Sequence, residues 1–173
     1  MSEINPYAPP ETDPVPPPQP GQTQTLATPW SRLGASLLDA LIMMVVTLPV
    51  SWLTGYFSRT MEAAASGVTF HPEAIFWSAF GLVVWIAINW SALQNGQTIG
   101  KRALGLRIVR KDGSAIPAKR IITHRTLPVQ VAALIPYVGT IAVFVDCLLI
   151  FRAGRNTLHD DIADTKVIKL ERV

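Results

Sequence analysis

The chain has almost no cysteine. Cys147 stands alone among 173 residues, so neither an internal disulfide nor a four-cysteine metal site can form. Its apolar neighbours mark it as a buried, inert thiol. Charge is scarce as well: 16% of residues are Asp, Glu, Lys or Arg against 49% apolar, and mean hydropathy is +0.31. That balance is richer in apolar residues than a typical soluble domain. The net charge of +3 and pI near 9.3 do not imply nucleic acid, because the basic residues cluster beside apolar segments. A short basic region followed by an apolar core and a cleavage site is also missing near the start. The first apolar segment is therefore expected to be a retained membrane helix.

Motifs of catalysis are missing too. No nucleophile elbow or helix-borne metal motif accompanies Ser31, Ser36 or His124, and His159-Asp160-Asp161 has no second histidine nearby to complete a metal site. The glycines at 96, 100 and 105 fit no phosphate-loop spacing. The sequence thus predicts no enzyme, no cofactor and no metal.

What is present begins with proline. Residues 1–29 carry Asn5-Pro6-Tyr7-Ala8-Pro9-Pro10 and Pro14-Val15-Pro16-Pro17-Pro18-Gln19-Pro20, a composition that favours extended polyproline and disorder. Such a tail is either a solvated leader or a docking peptide for a protein partner. Residues 30–170 form the membrane domain. A first helix is expected over about 30–53, bounded by Trp30 and Trp52 as interfacial aromatics, and a second over about 74–93. A third apolar region is broken by Pro136-Tyr137-Val138-Gly139, which predicts a helical hairpin with arms near 121–135 and 139–151. Between the second and third regions, Leu104, Leu106 and Ile108 alternate like a strand, and Asp112-Gly113 suits a two-residue turn. A small surface β-hairpin is expected at about 104–117. The final apolar alternation near Val167 predicts a C-terminal strand able to pair with it.

The fold class is therefore an all-α integral membrane protein with a small β element on one surface. Eight Lys or Arg against one Asp between Lys101 and Arg125 mark that surface as cytoplasmic, which places both termini inside.

Ionisable groups inside apolar segments are costly and call for partners or a water path. Arg32, Ser36, Asp39 and Met43 share one helical stripe. Asp146 lies in the second arm of the broken hairpin, Arg125 at the start of the first, and Asn89 near the end of the second helix.

Together these pieces resemble the RDD family of membrane proteins, named for one arginine and two aspartates. Arg32 with Asp39 seven residues on matches the helix-entrance motif. Gly96-Gln97-Thr98-Ile99-Gly100-Lys101-Arg102-Ala103-Leu104-Gly105-Leu106-Arg107-Ile108-Val109 resembles the family's most recognisable stretch, and Thr157-Leu158-His159-Asp160 with Ala163, Thr165 and Val167 its closing motif. The second aspartate maps to Asp160. Asp164 stands where the pattern leads one to expect glycine. The resemblance implies a bacterial inner-membrane protein, with exchange of small cations for protons as a suggested role.

Two functions follow. In the transport reading, Asp39 and Asp146 carry protons or a cation such as sodium, Ser36 and Asn89 are neutral ligands, Asp160 gates the cytoplasmic mouth, and Arg32 and Arg125 tune charge. In the structural reading, Asp39 pairs with Arg32, Arg125 or a backbone donor, and the protein is an accessory or assembly factor. A transport path through so few helices predicts a homo-oligomer.

Overall fold

The computed structural model describes residues 25–68, 72–135 and 137–170. The expectation of a disordered tail falls almost entirely outside them. Its last residues do not follow it. Thr25 and Leu26 lie along the C-terminal strand, with the Lys169 amide donating to the Thr25 carbonyl at 2.9 Å and the Ala27 amide to the Val167 carbonyl at 3.0 Å. The folded unit thus begins at least four residues before the expected boundary, because the second strand has a free edge to satisfy.

Helix α1 (Pro29–Leu53) starts on a Thr28 cap that accepts from the Ser31 amide, with Pro29 in the first turn where its missing N–H costs nothing. At 1.5 Å per residue its 25 residues run about 37 Å, more than a bilayer's hydrocarbon core. Helix α2 (Tyr56–Ala65) follows a left-handed glycine at Gly55. Helix α3 (Glu73–Leu93) returns over 21 residues. Tyr56 stacks on Trp77 with centroids 4.4 Å apart, tying α2 to the beginning of α3. Only 6% of the most apolar window of α1, and of α3, is buried inside the protein. In water such surfaces would be an aggregation liability; in lipid they are simply solvated.

Helix α4 (Ile99–Ala103) and strand β1 (Leu106–Arg110) follow. Beyond them, α5 (Ala118–Arg120), a π-helical turn (Ile121–Thr126) and α6 (Leu127–Ala133) run without a break. Pro128 cannot donate to the His124 carbonyl, and the ladder widens just before it: the Leu127 amide reaches back five residues to Ile122. Helix α7 (Val138–Leu148) and a 3₁₀ turn (Leu149–Phe151) complete the helical hairpin. Its tip is tight, since the Gly139 amide donates to the Ile135 carbonyl at 2.8 Å. Added carbon at Gly139 would strike the backbone of Ala132 and Ala133. Helix α8 (Leu158–Ala163) and strand β2 (Thr165–Lys169) end the described chain.

The β element differs from the one expected. Strand β1 pairs antiparallel with β2, Leu106 opposite Lys169 and Arg110 opposite Thr165, while the return arm of the local hairpin makes a single bridge, Val109 to Ala115. The turn also has three residues rather than two: the Gly113 amide donates to the Arg110 carbonyl, and the Arg110 amide to the Ser114 carbonyl. Gly113 supplies the positive φ that closes such a loop. The alternation at Leu106 and Ile108 buries its apolar face against Ala27, Ala35, Leu93, Ile116, Ile121 and Val167. That core sits where the start of α1 and the end of α3 meet the sheet, forming a cap at one end of the long helices. Cys147, expected to be buried, is exposed, because it lies on the wall of an open cavity between the helices.

Candidate functional site

The charged residues gather beneath the cap. Asp160 is fully buried, and it is met by four donors: the guanidiniums of Arg32 and Arg125, the Thr157 amide at 3.2 Å and the Thr165 hydroxyl at 3.2 Å. Its position follows from local sequence. Thr157 caps α8, and Asp160 three residues on returns the bond to the Thr157 amide, a reciprocal box that fixes the aspartate rotamer. Arg32 comes from the first turn of α1 and also donates to the Arg155 carbonyl; Arg125 comes from the π-helical turn and donates to Thr165 at 3.0 Å. Burial by itself raises the pKa of Asp160, but Arg125 and then Arg32 outweigh it and hold the carboxyl well below the usual range. Asp160 is thus a permanent anion at the junction of four segments.

Asp39 is occupied differently. Its Oδ2 accepts from the Thr98 hydroxyl at 2.5 Å and its Oδ1 from the Gly100 amide at 2.7 Å. Both donors belong to the start of α4, where Thr98 is the cap and also accepts from the Lys101 amide at 3.3 Å. A carboxylate at this end complements the helix's free amides. Gly100 is required for the approach: a Cβ there would lie 2.9 Å from Asp39 Oδ1 and strike the Ala35 carbonyl. Arg32 and Asp39 share a stripe of α1 yet do not pair. Asn89 joins the same junction, its Oδ1 accepting from the Ile99 amide at 2.8 Å while its Nδ2 donates to the Trp85 carbonyl. Ser36, the other residue expected to act as a neutral ligand, is exposed.

Asp146 has a partner that sequence reasoning passed over. Its Oδ1 accepts from the His159 amide at 3.1 Å, and its Oδ2 lies 2.5 Å from His159 Nδ1. Burial pushes the imidazole below its ordinary pKa, Arg125 adds to the effect, and Asp146 opposes it. The only sequence signal was adjacency, since His159 stands beside the carboxylate of the closing motif.

Asp146, His159 and Arg125 line the cap end of a cavity of about 670 Å³ between α1, α2, α3, α6 and α7. Its walls carry the rings of Trp77, Phe80 and Trp85, and hydroxyls at Thr47, Ser51 and Thr60 continue along it toward α2. Lys101 stands in the same charged neighbourhood, nine-tenths buried and, among the described residues, without a hydrogen-bond acceptor for its ammonium. Burial pushes it down to about 8, with Arg125 adding to the effect and Asp39 opposing it. Among the described residues, no three His, Cys, Asp or Glu side chains are placed to hold a metal ion.

Two long lipid-compatible helices, capped by a charge-latched sheet, define a helical membrane protein. The family is equally plain: residues 26–164 match the model of the RDD family, and the chain belongs to it. It is 33% identical over 139 residues, 80% of this chain and 81% of the relative, to the uncharacterized protein YckC of Bacillus subtilis (strain 168). No solved structure matches.

Proposed function

We propose that this is a multi-pass protein of a bacterial inner membrane that exchanges protons for a small monovalent cation such as sodium, with Asp146 and His159 as the exchanging pair. The cavity carries this reading: hydroxyl-bearing residues lead along it from α2 to a carboxylate whose partners among the described residues are the amide and the imidazole of His159. The other two carboxylates suit the task poorly. Asp160 holds two arginines, and Asp39 is filled by a hydroxyl and an amide, so both serve the fold. The basic residues of the cap favour a cytoplasmic placement for it.

The test is proton-driven flux of sodium, lithium and potassium in liposomes, comparing wild type with Asp146→Asn and His159→Gln. Loss of flux in both variants, with the fold retained, supports the reading. Flux that survives Asp146→Asn refutes it.

A second reading is favoured by the saturation of Asp39 and Asp160. If those residues act purely as latches, the protein is an accessory or assembly factor, and its proline-rich leader recruits the partner. Capture of a defined partner that is lost on deleting residues 1–24, with no ion flux above empty liposomes, would establish it.

A further inference from the structure

The cavity contains a donor that the exchange reading leaves unused. Arg125 is 6% exposed, and its bonds to Asp160 and Thr165 both come from Nη1. The Nε–Nη2 edge of the same guanidinium has no acceptor among the described residues, although neither atom is sealed from the surrounding space. Two parallel N–H groups on one edge are the geometry that grips a phosphate or carboxylate side-on. An arginine this deep with three of its five N–H donors idle marks a missing acceptor.

The carboxylates around Arg125 among the described residues are already engaged. Both oxygens of Asp146 are turned to His159, and Asp160 is filled from four sides. With the imidazole neutral, the buried cations Arg32, Arg125 and Lys101 are matched by buried Asp146 and Asp160 together with half-buried Asp39, so this group of charges is balanced. An added anion is therefore accommodated by a proton on His159, which Asp146 is already placed to hold. The walls beyond Arg125 are aromatic and aliphatic, and the cavity volume falls within the range of small-ligand sites, about 300–1,000 Å³. A polar head at the cap end with an apolar body along α3 is the shape of a bilayer amphiphile.

We propose that the cavity seats an anionic phospholipid, its phosphate on the Nε–Nη2 edge of Arg125 and an acyl chain against Trp77, Phe80 and Trp85. The source is the leaflet beside the cap, because the site lies between membrane helices and its apolar walls disfavour a free aqueous phosphate. The inference does not depend on ion exchange, and its test reads binding without flux.

The experiment is native mass spectrometry of the full chain in a neutral detergent, titrated with phosphatidylglycerol, phosphatidylcholine or oleate of matched chains. Phosphatidylglycerol is expected to be retained at a concentration at least about tenfold below phosphatidylcholine, a difference of about 1.4 kcal/mol. Arg125→Gln should abolish that preference. Because Arg125 also holds Asp160, Gly81→Leu provides a variant outside the charge latch: Gly81 lines the cavity, and a Cβ there meets nothing within 4 Å. Filling the cavity should remove the preference with the latch intact. Binding also strengthens as pH falls through the imidazole range, with Asp146, Arg125 and Asp160 the charged groups facing His159. Equal retention of the two phospholipids overturns the proposal. So does a preference unchanged by Gly81→Leu, which would put the lipid on the basic outside of the cap, or oleate binding as tightly, which would make the ligand a fatty acid.

Discussion

Replacing Asp160 by Asn tests the latch most directly. The amide keeps one acceptor oxygen but removes the charge shared by Arg32 and Arg125, which are 5% and 6% exposed. Breaking one buried ion pair by deleting a partner costs about 3–5 kcal/mol, and here two cations are orphaned together. The ratio of folded to unfolded protein should fall by at least about two powers of ten. The measurement is urea unfolding in mixed micelles, followed by tryptophan fluorescence. Asp161→Asn is the control, since Asp161 is paired with Arg152 and Lys111 at the exposed surface and should move stability by no more than about 1 kcal/mol. Adding Arg32→Gln to Asp160→Asn should recover part of the loss by removing an unpaired cation, a coupling of about 0.5–3 kcal/mol. The sign with pH follows from the depressed carboxyl. Asp160 stabilises fully above the unfolded value of about 3.9 and loses that contribution as pH falls through the lower folded value, so it adds no slope between pH 5 and 8. A cost for Asp160→Asn below about 1 kcal/mol, or equal to that of Asp161→Asn, would refute the latch.

Gly100→Ala should destabilise by about 1–3 kcal/mol in the same assay, because the new methyl meets the Ala35 carbonyl and Asp39 carboxylate and α4 must back away from α1. Lys101 moves stability in the same direction with pH as Asp160, but in an alkaline window. Its folded pKa of about 8 lies below the unfolded value, so the cost of burying its charge is full below pH 8 and relieved as pH rises toward about 10.4; stability should climb by up to about 3 kcal/mol over that window, and Lys101→Met should flatten it. Thr157→Ala removes one half of the reciprocal cap on α8 and should cost about 0.5–2 kcal/mol, with thermal unfolding as the readout.

The long helices were legible because apolar runs of this length carry their own instruction: α1 and α3 begin and end within a residue of the spans expected from hydropathy. The cap was less so. A strand-like alternation at Leu106–Val109 says that one face is buried, but a local hairpin and a distant strand satisfy it equally; the distant strand prevails because β2 brings Val167 into the apolar core opposite Ile108. The charged stripe misled for a related reason. Seven-residue spacing puts Arg32 and Asp39 on one face, yet spacing cannot tell whether two opposite charges face each other or each face a third element. Arg32 finds its carboxylate 128 residues away, and Asp39 is held by Thr98 and a glycine amide whose importance is steric. Asp164 is one place where the departure from the family pattern can be read in the backbone: it occupies a left-handed conformation with φ of 57°, where glycine is at ease and aspartate is tolerated.

The separation between Arg32 and Asp160 also sets an order of events on the ribosome. At about 5–20 residues per second, the 128 residues between them take roughly 6–26 s to synthesise. During that interval α1 and α3 can enter the bilayer, but Arg32 and then Arg125 wait for a counter-charge not yet made. The strand that Thr25 and Ala27 accompany is made later still, at Thr165–Lys169. Closure thus waits for Asp160 and the strand that follows it, and a product terminated before residue 160 would leave Arg32 and Arg125 without the carboxylate that joins them.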